Sequence, residues 1–115
     1  VHNILGCGFL EAIYEDALIY ELGLRGIPYK SQVDLPITYK GMRLRHQYRV
    51  DLICFDAIAV ELKAISATST ADHAQVLNYI RASRFDLGLL LNFGQPRLYA
   101  KRIIYDHARI EPGID

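Results

Sequence analysis

The sequence predicts an α/β domain in which helices flank a mixed β-sheet, with element order α-β-β-β-α-β-β. Three observations predict it. Phe9 to Leu24 and Ala71 to Ser83 each carry apolar residues at helical spacing. Between them, Val33 to Lys63 is rich in strand-favouring residues, with turn formers at Lys40-Gly41-Met42 and at Asp56. After the second helix, Leu87 and Leu89 to Leu91 are almost continuously apolar, as in a strand covered on both faces. A strand–helix–strand connection lays that strand parallel to an earlier one, so the sheet is mixed.

At 115 residues the chain is long enough for one core and too short for two. Its 51% hydrophobic and 23% charged residues are ordinary for a soluble globular protein. Thirteen basic and 13 acidic residues cancel, which excludes a general attraction to polyanions. Any nucleic-acid binding must then come from a local basic patch. Cys7 and Cys54 lack metal-ligand spacing, and a reduced cytoplasmic setting is expected. No apolar run approaches the ~20 residues that span a membrane, and no signal peptide is visible. The chain begins at Val1 rather than Met, so we expect residues upstream of it.

Val1 to Leu5 reads as the end of a preceding segment, stopped by Gly6 and Gly8. The first helix follows over 9–24, ending at Gly26 with Pro28 beyond. Leu10, Ile13, Tyr14, Ala17, Leu18 and Leu24 form its apolar stripe. Glu11 lies in the first turn, where the helix dipole favours an acid, and on one line with Leu18 and Leu22. That line lets it reach over the sheet.

Strands are expected at Val33–Tyr39 and Arg43–Phe55, with Pro36 marking the first as an edge strand or a bulged one. Arg43, Arg45, Gln47 and Arg49 alternate in step with Asp51, so their side chains should share its face. The second helix is capped by Ser69 or Thr70, with Asp72 in its first turn. Ala74, Leu77 and Ile80 form its core side, while Gln75 and Tyr79, four apart, share another face with Asp72. Asp86–Phe93 is a strand, Gln95-Pro96 a turn, and Leu98–Tyr105 a last strand or a strand with a short helix. Glu111 to Asp115, with Pro112 and Gly113, reads as a loose tail.

The stretch from Asp51 to Lys63 holds the chemistry. If the chain folds back about Asp56, Asp51 falls opposite Glu61, and Asp51, Glu61 and Lys63 project from one face. Two facing carboxylates among apolar residues repel, and burial worsens the repulsion. A cation should sit between them. Lys63 serves in part, and a divalent metal with oxygen ligands suits the pair better. No Gly-rich phosphate loop is present. His2, His46 and His107 lack partners for a histidine–metal site. His73 stands on the second helix, two residues before Gln75.

Asp51 followed after nine residues by Glu61-x-Lys63 resembles the core of the PD-(D/E)XK nuclease superfamily. Gly8-Phe-Leu-Glu11-Ala-Ile-Tyr14 is similar to the motif that names the bacterial GxxExxY proteins within it. Val1-His2, Leu5-Gly6, Tyr39-Lys40-Gly41, Tyr48-Arg49-x-Asp51, Gln75, Asn78-Tyr79, Asn92-Phe93-Gly94 and Lys101-Arg102 also look like that family. The resemblance covers nearly the whole chain and implies a restriction-endonuclease-like core. It implies that Asp51 and Glu61 bind Mg²⁺ or Mn²⁺ with the backbone carbonyl of Leu62, and that Glu11 adds to the metal shell. Lys63 would orient or activate the attacking water. Gln75 and Tyr79 resemble the Gln-xxx-Tyr feature of the RecB-like branch, which supports the site or touches substrate. Val50 stands where a Pro usually precedes the first acid.

The expected function is metal-dependent hydrolysis of nucleic-acid phosphodiesters, DNA before RNA, with Arg43, Arg45 and Arg49 guiding the backbone. No membrane partner is expected, and homodimeric assembly is compatible with the resemblance. Two alternatives stand beside it. One is a binding module for nucleic acid or a protein partner that keeps the fold without catalysis. The other is a structure-selective endonuclease of the junction-resolvase kind.

Overall fold

The computed structural model describes residues 1–107. The expected loose tail at Glu111–Asp115 lies outside them. In chain order the elements are α1 (His2–Leu5), α2 (Glu11–Leu24), β1 (Tyr29–Tyr39), β2 (Met42–Cys54), β3 (Ile58–Lys63), α3 (Thr70–Ala82), β4 (Leu87–Asn92) and β5 (Tyr99–Ile104). The five strands form one sheet in the order β1-β2-β3-β4-β5. β3 and β4 run parallel and every other pair is antiparallel. This is the mixed sheet of a restriction-endonuclease-like fold.

Helices pack on both faces. On the α2 side, Tyr14 and Leu22 cluster with Leu52, Cys54, Val60, Leu62 and Phe93. On the α3 side, Tyr79 and Ile80 cluster with Leu35, Val50, Ile53 and Ala59. Val76 is also fully buried, and a Cβ at Gly88 of β4 would lie 2.5 Å from its Cγ1. α3 therefore sits on β4 at a position that only glycine permits.

The α2 stripe differs from expectation. Tyr14 and Leu22 are buried and Leu18 packs on them, whereas Leu10, Ile13 and Leu24 are exposed. Counting Leu22 out and Leu10 in shifts the inferred face by about a third of a turn. Glu11, on the line of Leu18 and Leu22, begins α2 on that side of the helix and is itself exposed. In α3 the core side is Val76, Tyr79 and Ile80 with Leu77 partly buried, while Ala74 is exposed. Ser69, one of the two expected caps, caps α3, and Asp72 completes a capping box with it.

The hairpin about Asp56 has the expected register, with Leu52↔Val60, Ile53↔Ala59 and Cys54↔Ile58 paired. Phe55 and Asp56 both adopt left-handed backbone, φ 57° and 51°, and the Ala57 N–H donates to the Cys54 carbonyl at 3.0 Å. That is the mirror-image turn whose twist suits a hairpin. The aromatic at Phe55 is an uncommon occupant of it.

β1 starts at Tyr29, earlier than expected, because Tyr29, Lys30 and Ser31 pair with Cys54, Ile53 and Leu52. It is an edge strand, and its register shifts between Pro36 and Thr38. Both properties expected of a Pro36-bearing strand are therefore present.

The alternation expected to run unbroken from Arg43 to Asp51 is broken twice. Pro36 pairs with Gln47 and Thr38 with Arg43, so Leu44, Arg45 and His46 stand against Ile37 alone. The second break is at Gln32, whose φ is 50° and which drops out of the ladder opposite Asp51. Tyr48 and Val50 pack with the α3 cluster, yet Leu52 and Cys54 pack with the α2 cluster. The strand changes sides at Asp51. The basic residues therefore do not share one continuous pleated face with it.

Candidate active site

Asp51 stands where β2 parts from β3. The ladder's last pair is Leu52↔Val60. Beyond it the Asp51 side chain takes over, its Oδ2 accepting the Leu62 N–H at 2.8 Å. The carboxylate replaces a backbone partner and is thereby fixed beside the end of β3. Its Oδ1 faces the Gln32 amide at 3.5 Å, and that same amide donates to Glu15 Oε1 at 2.7 Å. The left-handed residue Gln32 thus ties Glu15 of α2 to Asp51.

Glu61 is the buried member, 6% exposed. Its Oε2 accepts the Tyr79 hydroxyl at 3.3 Å and lies 3.7 Å from Lys63 Nζ. Its Oε1 is buried with no hydrogen-bond partner among the described residues. Burial, and then the Asp51 carboxylate beside it, push the Glu61 carboxyl up to about 8; Lys63 and Tyr79 oppose the shift. Burial and Glu61 also raise the Tyr79 hydroxyl, so it remains a donor.

Lys63 closes β3 between two acids, with Asp72 Oδ1 at 3.9 Å on its other side. Ser69, through its backbone N–H first, holds the Asp72 carboxyl below the usual range. Sequence reasoning placed Asp72 as a helix-dipole residue and missed its reach to Lys63. The two roles are compatible because α3 starts close to the end of β3.

Lys63 is also held from behind. The Phe93 N–H donates to the Lys63 carbonyl at 2.8 Å. Asn92, fully buried, accepts the Ile65 and Gly94 N–H groups and donates to the Ile65 carbonyl, each at 3.0 Å. A Cβ at Gly94 would lie 2.4 Å from the Ile65 backbone N and O. Asn92-Phe93-Gly94 is therefore a clamp on the turn after Lys63. In sequence, only the family-like run of those three residues hinted at it.

The Gly8–Glu11–Tyr14 spacing has a similar physical basis. Gly8 takes φ 113°, which side-chain-bearing residues rarely adopt. Tyr14 is fully buried, stacks on Phe93 at 4.8 Å, donates to the Gly6 carbonyl and accepts the Phe9 N–H. The loop is thus bolted to its own helix, and Glu11 opens that helix above the sheet. Burial first, and then Asp51, raise the Glu11 carboxyl, while Lys63 lowers it. Glu11 thus lies within the field of the Asp51–Lys63 group.

Gln75 sits one turn before Tyr79, partly buried, and has no hydrogen-bond partner among the described residues. Arg49 pairs with Asp34 at 3.0 Å. Arg43 and Arg45 lie on the exposed hairpin away from the acids. His73 is engaged by the Ser69 carbonyl and the Tyr99 hydroxyl.

Among the described residues, no three His, Cys, Asp or Glu side chains form a closed metal cage. The chemistry of the pair nevertheless fits a small divalent cation. Mg²⁺ needs only one or two carboxylates beside water and phosphate oxygens. The unpartnered Glu61 Oε1 next to Asp51 is an oxygen in want of a cation or a proton.

The sequence pattern of the PD-(D/E)XK nuclease superfamily matches residues 1–103. Among solved structures, the crystal structure of SSO0001 is similar, with a TM-score of 0.65 at 19% identity over 84% of this chain. The chain spans about half (52%) of that protein, and the likeness bears on the fold alone. No curated protein matches the chain significantly. Among the described residues, no helix is long and apolar enough to cross a membrane.

Proposed function

The chain belongs to the PD-(D/E)XK nuclease superfamily, and we propose that it hydrolyses phosphodiester bonds in nucleic acid, DNA before RNA, with Mg²⁺ or Mn²⁺. The observation that carries this reading is Glu61: buried, flanked by Asp51 and Lys63, with one carboxylate oxygen unpartnered. A charged group in that position is costly unless a cation joins it. A purely structural role would be served better by an apolar residue.

In this reading Asp51 and Glu61 hold the cation with the Leu62 carbonyl as a further oxygen, and Glu11, within their field, would reach the ion through water or by moving closer. The bound ion supplies Lewis acidity toward a phosphate oxygen. Lys63 orients the attacking water and offsets negative charge growing on the phosphate. Hydrolysis forms one bond from water oxygen to phosphorus and breaks one P–O ester bond, and the leaving oxygen takes a proton. Tyr79 fixes Glu61 through its hydroxyl, and Gln75, on the same helix, stands free to contact substrate. Arg43, Arg45 and Arg49 attract the backbone. The membership of the GxxExxY group and of the RecB-like branch is part of the same proposal, as is a cytoplasmic setting.

The test is cleavage of labelled single- and double-stranded DNA and RNA in Mg²⁺ or Mn²⁺, beside Asp51→Asn and Lys63→Ala. We expect metal-dependent cutting that falls by at least about a hundredfold in each variant, as for loss of one electrostatic partner. Cutting unchanged in both, or absent on every substrate, would sink the reading.

A further inference from the structure

The 16 residues from Leu35 to Val50 carry Lys40, Arg43, Arg45, Arg49 and His46 and no acid. The whole chain has 13 basic and 13 acidic residues, so the charge is segregated rather than absent. Beyond its base at Leu35, Tyr48 and Val50, this segment is also the two-stranded part of the sheet. β3 pairs with β2 only at Leu52, Ile53 and Cys54, so from Val50 to Met42 the ladder partner of β2 is β1. Every residue from Thr38 to Gln47 is exposed. At the free end Tyr39 is 53% exposed and Met42 69%.

The base of this ribbon is anchored in the site. Leu35, Tyr48 and Val50 pack with Tyr79, the residue whose hydroxyl meets Glu61. From Asp51 to the tip at Gly41 the strand covers roughly 30 Å at ~3.3 Å per residue. That matches about one turn of B-form DNA, ~34 Å. Two strands ~4.8 Å apart, with their side chains, fit a major groove ~12 Å wide. A-form RNA offers a deep, narrow major groove instead, and a single strand offers none.

Resting on the nuclease reading, we infer that the substrate is duplex DNA and that the Pro36–Gln47 ribbon lies in its groove. Lys40, Arg43 and Arg45 meet phosphates along the groove walls, and Tyr39 and Met42 at the tip meet sugar or base edges. The bulge at Leu44–His46 twists the ribbon, as following a groove requires. A second copy of the chain is a poor occupant, because two such ribbons brought together would repel.

The experiment measures binding by fluorescence anisotropy with Ca²⁺ replacing Mg²⁺, using the whole chain. The probes are a duplex DNA of about 30 base pairs, its single strand, and duplex RNA of the same sequence, across about 50 to 200 mM salt. Wild type is compared with Lys40→Gln/Arg43→Gln/Arg45→Gln and with Tyr39→Ser/Met42→Ser. We expect tightest binding to duplex DNA. The triple variant should weaken it on the order of a hundredfold and lower the slope of log K against log salt by about 3, near 0.9 per lost phosphate contact. Single-strand affinity should move by less than about threefold.

Equal losses on single strand and duplex would overturn the inference, as would duplex RNA bound as tightly as DNA. A ribbon variant that keeps its duplex affinity, or that alters sedimentation in place of DNA binding, would also overturn it. The two proposals fail separately. A protein that never cuts, yet loses duplex binding with the triple variant, keeps the ribbon and loses the nuclease. Cutting that needs Lys63 but ignores the ribbon does the reverse.

Discussion

The Tyr79 hydroxyl donates to Glu61 Oε2 at 3.3 Å, while the other oxygen of that carboxylate is buried and unpartnered. One half of Glu61 is thus satisfied by the protein, and the other needs either a proton shared with Asp51 or a cation. Its properties should depend on what fills the second half.

A carboxyl pushed up to about 8 from an ordinary 4.5 keeps its proton in the folded state after the unfolded chain has lost it. Metal-free protein should therefore lose stability as pH rises between those values. At ~1.4 kcal/mol per unit the loss is on the order of a few kcal/mol. Thermal melts at about pH 5 and about pH 8.5 would show it, and Mn²⁺ should restore stability at the higher pH only. Glu61→Gln should flatten both effects. A flat wild-type profile would contradict the burial argument.

Tyr79→Phe removes a donor that favours ionised Glu61. The Glu61 carboxyl should rise further, metal should bind more weakly near neutrality, and the pH–rate profile of cleavage should move to higher pH. Folding stability should fall by only about 1 kcal/mol, the worth of one hydrogen bond. A variant whose profile coincides with wild type would show that the hydroxyl does not act through Glu61.

Asp72 has two tasks, capping α3 through Ser69 and facing Lys63. Asp72→Ala should cost about 1 kcal/mol in chemical denaturation. It should also lower kcat with little change in KM, because Lys63 loses one of the two acids that align it. Stability loss with unchanged kcat would leave only the capping role.

Gly94→Ala brings a Cβ against the Ile65 backbone, which cannot swing aside as a side chain can. We expect about 3 kcal/mol of destabilisation, at the upper end for overpacking. A melting temperature within error of wild type would mean that the turn after Lys63 can be displaced freely.

Much of the architecture was legible because single periodicities decide it. The apolar run at Leu89–Leu91 announces a strand covered on both sides, and Asp56 with its flanking runs fixes the β2–β3 register. The acids were legible for the same reason, since the fold-back brings Asp51 toward Glu61. What escaped depends on backbone that departs from its period. Gln32 in left-handed conformation cannot be read from a glutamine, so the change of sides at Asp51 was hidden. The α2 stripe was misjudged because Leu10, Ile13 and Leu24 are apolar yet exposed, and apolarity alone does not tell which of two neighbouring stripes packs. The clamp of Asn92 on Ile65 joins residues far apart in sequence, and no local pattern encodes it.

The break in the ladder at Gln32 and Asp51 separates two lengths of the same hairpin. On one side, Leu52 to Cys54 are held in register by both neighbouring strands. On the other, past the base where Leu35, Tyr48 and Val50 pack with Tyr79, the β1–β2 ribbon answers to its own pairing alone. Insertions or deletions near its tip can therefore accumulate without displacing the acids. The ribbon is an interchangeable part, which an engineer could graft between relatives while leaving the Asp51, Glu61 and Lys63 group in place.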